Sequence, residues 1–64
     1  MKEFDVVKLK CDFQGITAGT EGAIVLEYDG TAFEVEFFDK EGNTVCVATT
    51  LADIIQLVSE YKPI

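Results

Sequence analysis

The chain has 64 residues, 7.1 kDa, 48% hydrophobic content and a net charge of −7. That is enough for one small core and no second. It contains no histidine, arginine or tryptophan, which excludes an imidazole base, a guanidinium clamp and a histidine-ligated metal. A mean hydropathy of +0.22 argues against disorder.

The predicted elements are short strands between glycine-bearing turns. The first run is residues 5–10, with Val7, Leu9 and Cys11 on one face. A turn region follows over residues 12–22, in which Gly19 and Gly22 mark a positive φ or a close backbone approach. The second run, residues 23–28, alternates Ile24, Leu26 and Tyr28 with Val25 and Glu27. Asp29 and Gly30 signal a tight hairpin. The third run, residues 33–38, points Phe33, Val35 and Phe37 one way and Glu34, Glu36 and Phe38 the other. A five-residue loop over 39–43 leads to a fourth run, residues 44–49.

The tail admits two readings. Leu51, Ile54, Ile55 and Val58 have helical spacing, yet a 3-10 turn over 51–53 and a strand over 55–58 suit a small barrel better. The expected fold is all-β: a five-stranded, SH3-like, partly open barrel formed as one domain over residues 1–64. Its expected core is Val7, Leu9, Ile24, Leu26, Phe33, Val35, Phe37, Val47 and Ile54.

The two cysteines, Cys11 and Cys46, are too few for a disulfide framework and read as reduced, partly buried thiols. The beginning of the chain carries Glu3 and Asp5 and lacks a long apolar run, so no signal peptide or membrane span is expected. The expected setting is cytoplasmic.

Asp5-Val6-Val7-x-Leu9, Gly19-x-x-Gly22-x-Ile24-Val25, Phe33-Glu34-Val35-Glu36-Phe37-x-Asp39, Gly42-x-Thr44 and Thr50-Leu51-x-x-Asp53-Ile54 follow in order. This pattern resembles a family of short bacterial proteins known as a domain of unknown function with an SH3-like barrel. Residues 5–25 also resemble the KOW element of ribosomal and transcription-factor barrels. The resemblance implies the fold and supplies no catalytic residues.

The residues themselves point away from catalysis. Ser59 is the lone serine and lies near the end of the chain. Cys11 and Cys46 lack a histidine to activate them. A barrel this small is not expected to hold a pocket of a few hundred Å3, on the usual size of ligand sites. Asp39, Glu41 and Asn43 supply oxygens, but a hairpin turn accounts for them better than calcium does. No cofactor or metal is expected. The lysines, at 2, 8, 10, 40 and 62, form no patch beyond Lys8 and Lys10, so the chain alone should not bind nucleic acid.

The outward side of the third run is the candidate site. There Phe38 stands beside Glu34 and Glu36, an aromatic group within a polar rim. The alternative is that Phe38 tucks against Phe13 or Ile16. The expected function is a non-catalytic, acidic protein-interaction module, with weak self-association or a protein partner, a basic one among the candidates. A second reading is an antitoxin or immunity-type inhibitor of a basic bacterial enzyme such as a nuclease. A third is a structural domain detached from a larger ancestor. A proline-rich ligand groove would need more exposed aromatics.

Overall fold

β-branched and aromatic side chains dominate the runs between turns, and these runs form five strands. In the computed structural model, which describes residues 1–63, they are β1 (Val6–Leu9), β2 (Glu21–Glu27), β3 (Ala32–Phe38), β4 (Thr44–Leu51) and β5 (Ile55–Ser59). A 3-10 turn over Ala52–Ile54 leads into β5. All paired strands are antiparallel and make one sheet in the order β4-β3-β2-β1-β5. The sheet is open, with β4 and β5 as its edges. The protein is therefore all-β, and among the described residues no helix is long and apolar enough to cross a membrane.

The turns follow from local chemistry. Tyr28 N–H donates to the Ala32 carbonyl at 3.1 Å, so the β2–β3 loop spans residues 29–31, one longer than a tight two-residue hairpin. The Asp29 carboxylate secures it by accepting from the Thr31 N–H at 3.1 Å and from the Thr31 hydroxyl at 2.6 Å. Between β1 and β2, Phe13 and Ile16 exchange two backbone hydrogen bonds of 2.9 and 2.8 Å. Asp12 accepts the Ala18 N–H at 2.8 Å. This folded connection lays Ile16 into the core.

Gly19 and Gly22 both serve as the sequence predicts. Gly19 has φ +90°, and a Cβ on Gly22 would lie 2.7 Å from the Glu36 carbonyl oxygen. Only a glycine lets β3 pass this close to β2.

Val7, Leu9, Ile16, Ile24, Phe33, Val35, Phe37 and Ile55 form the buried cluster, with Phe13, Cys46, Ala48, Ala52 and Ile54 packed on it. Three expected core positions need correction. Ile24 pairs with Val35, but Leu26 pairs with Glu34. A bulge at Val25 reverses the phase of β2, so Leu26 shares the outward face of Glu34. In β4, Cys46, Ala48 and Thr50 pair with the inward Phe37, Val35 and Phe33, while Val47 pairs with the outward Glu36. Val47 is 55% exposed. The phenylalanines of β3 fill this part of the interior, so β4 turns its small side chains inward and its valines out. At the head of β5, Ile55 is buried and Ile54 only half-buried. Cys11, expected on the buried face, is exposed, because β1 ends at Leu9.

Candidate protein-contact surface

The outward face of β2, β3 and β4 follows directly from the register. Rows across it join Leu26, Glu34 and Thr49, then Ala23, Glu36 and Val47. Leu51 lies beside Ala32 at one end. Tyr28 reaches over the same face, its hydroxyl donating to a Glu34 carboxylate oxygen at 3.0 Å. Leu26, Tyr28, Val47 and Leu51 are all exposed. Four large side chains with apolar surface thus surround two carboxylates.

Hydroxyls hold those carboxylates in place. Glu34 also accepts from Thr49 Oγ1 at 2.7 Å, and Glu36 accepts from Thr44 Oγ1. The hydrogen bond to Glu34, then partial burial and the charge of that carboxylate, push the Tyr28 phenol above its ordinary value. Tyr28 is therefore a neutral donor at physiological pH, with Glu34 as its acceptor.

The three sequence-predicted residues, Glu34, Glu36 and Phe38, do share this outward side, and each is half-buried. Phe38 does not stand free. It lines an open hollow of about 830 Å3 together with Ile16, Thr17, Asp39, Lys40 and Val45. The expectation that the chain lacks a hollow of several hundred Å3 is thus corrected. A second bulge lies at its edge: Phe37 pairs with Cys46 but Phe38 with Thr44, leaving Val45 unmatched.

The polar side chains that line the hollow are Thr17, Thr20, Glu21, Asp39 and Lys40. Its Asp39 serves the hairpin, accepting the N–H groups of Glu41 at 3.0 Å and Asn43 at 2.9 Å. That is the turn role read from the sequence. Among the described residues, no three of His, Cys, Asp or Glu converge as a metal site. Leu26, Tyr28, Val47 and Leu51 are the members of this outward face that sequence reasoning missed. The signal was the small Cys46, Ala48 and Thr50 opposite a phenylalanine-rich strand.

Fold and surface define a small antiparallel all-β protein with an outward face part apolar and part acidic. The chain belongs to the family described as Domain of unknown function (DUF4926), which matches residues 3–60. No curated protein and no solved structure matches it.

Proposed function

We propose that this protein is a non-catalytic interaction module, built as an SH3-like barrel, that docks a basic protein partner on the outward face of β2, β3 and β4. The observation that carries this reading is the grouping of Leu26, Tyr28, Val47 and Leu51 around Glu34 and Glu36. Apolar groups near the centre of a contact supply affinity, and charges supply encounter rate and orientation. The net charge of −7 favours a cationic partner and opposes polyanions. The meander order of the sheet and the 3-10 turn before β5 support the barrel. The proposed setting is the bacterial cytoplasm.

The test is site-specific photocrosslinking in cells of the source organism, with the crosslinker at Val47 and, as control, at Cys11. A partner captured from Val47, absent from Cys11 and lost in the Glu34→Lys/Glu36→Lys variant supports the reading. The same products from both positions overturn it.

A further inference from the structure

The two edges of the sheet are treated differently. The β5 edge is short, its pairing with β1 is bulged, and Glu60, Lys62 and Pro63 follow it. Charge, bulges and proline are the usual guards against unwanted strand pairing. The β4 edge is longer, Thr44–Leu51, and contains no charged residue and no proline. Its bulge lies at its start, at Val45, which leaves a regular ladder from Cys46 to Leu51.

The hydrogen-bond pattern shows what that edge offers. Ala52 N–H donates to the Thr31 carbonyl at 2.9 Å, which makes Ala32 and Leu51 a non-hydrogen-bonded pair. Alternation along an antiparallel ladder then turns the N–H and C=O groups of Cys46, Ala48 and Thr50 toward β3. Those of Val47, Thr49 and Leu51 point away from the sheet. Each of these three residues also carries its side chain on the outward face, beside Glu34 and Glu36.

We propose that the edge of β4 binds an extended basic segment of a partner as a sixth, antiparallel strand. The inference rests on the basic-partner reading above and specifies how that partner is held. Backbone pairing to Val47, Thr49 and Leu51 gives affinity, and alternate side chains give specificity. Residues paired with these three share their face, so those positions of the partner carry Lys or Arg. An added strand lies two spacings from β3, roughly 10 Å, within joint reach of a lysine and the Glu34 or Glu36 carboxylate. Charge also selects against a second copy of the chain. Both ends of β4 are net acidic, with Asp39, Lys40 and Glu41 before it and Asp53 after it. A two-fold β4–β4 pairing would set one copy's Asp39 end against the other's Asp53 end, between two chains of net charge −7.

The probe is the capped peptide Thr-Lys-Val-Lys-Val-Lys-Val-Thr, titrated into the full chain and followed by amide NMR and hydrogen exchange. Binding should protect the Val47, Thr49 and Leu51 amides. N-methylation at the peptide's lysines removes the groups that face β4 and should weaken binding at least about tenfold, whereas N-methylation at its valines should not. Val47→Pro should keep the fold, because the lost N–H is one the sheet does not use, and should lose the peptide. Equal binding of both methylated peptides overturns strand addition while leaving a charge-driven partner intact. Equal binding of a peptide with Gln in place of Lys keeps strand addition and overturns the basic partner. No binding of any peptide overturns both. Concentration-dependent dimers with the same amides protected would assign the edge to a second copy instead.

Discussion

The carboxylate of Asp5 accepts the backbone N–H of Tyr61 at 2.8 Å, tying positions 56 apart in the chain. It also accepts the Lys2 backbone N–H and the Lys2 ammonium, each at 2.9 Å. Beside it the Phe4 and Tyr61 rings meet edge to face at 5.3 Å. Burial alone pushes the Asp5 carboxyl up. The Lys2 side chain, the N–H groups of Tyr61 and Lys2, and the Lys2 charge outweigh burial and hold it at about 2, below the ordinary 3.8. The folded value lies below the unfolded one, so this group's contribution is complete above the unfolded value. It is lost as pH falls from 3.8 toward about 2. Half-exposed Lys2 screens part of the effect, which leaves about 1–2 kcal/mol. Urea midpoints of wild type and Asp5→Asn, measured from pH 6 to pH 2, check this. Their difference should be constant above about pH 5 and shrink through the acid window. Parallel profiles would remove Asp5 from the explanation.

Gly22 is the most closely packed of the glycines. A methyl there meets the Glu36 carbonyl oxygen at 2.7 Å and Val35 Cγ1 at 2.8 Å. One contact is backbone in the paired strand and the other a core side chain, so neither yields without opening the β2–β3 ladder. Gly22→Ala should destabilise by about 2–3 kcal/mol, whereas Gly19→Ala, strained only by its φ, should cost about 1 kcal/mol. Thermal or urea unfolding of the two variants separates close approach from backbone strain.

Strand number, hairpin positions and the 3-10 turn were legible because alternation and turn residues are local. So was β3, where Phe33, Val35 and Phe37 face inward as read. The faces of β2 beyond Ile24 and of β4 were not legible. A bulge consumes one residue without a compositional mark, and every side chain beyond it changes sides. Ile16 joins the core only because the 13–16 turn folds back on the sheet. The acceptor role of Asp5 depends on Tyr61, far along the chain. The phase of β4 is directly testable. Val47→Ser should change stability by less than about 0.5 kcal/mol, and Val35→Ala should cost about 2–3 kcal/mol. A large loss at Val47 would restore the phase read from sequence and dissolve the contact face.

Phe38 and the two glutamates separate stability from binding. Phe38 is half-buried at the hollow beside Ile16 and Val45, so Phe38→Ala should cost the monomer about 1–2 kcal/mol. Phe37→Ala, from the core, should cost about 3–5 kcal/mol. Glu34 and Glu36 hydrogen-bond to exposed hydroxyls of Tyr28, Thr49 and Thr44 and, among the described residues, form no ion pair. Replacing both by Lys should therefore leave the unfolding midpoint nearly unchanged. It should act on encounter instead: two charges reversed on an acidic face remove the attraction that steers a cationic ligand. Stopped-flow mixing with the alternating Lys-Val peptide should show a slower association rate, a smaller change in dissociation, and a weaker dependence on salt than wild type. If dissociation carries most of the loss, the glutamates act as close partners in the bound state. If neither rate moves, the ligand does not sense this face at all.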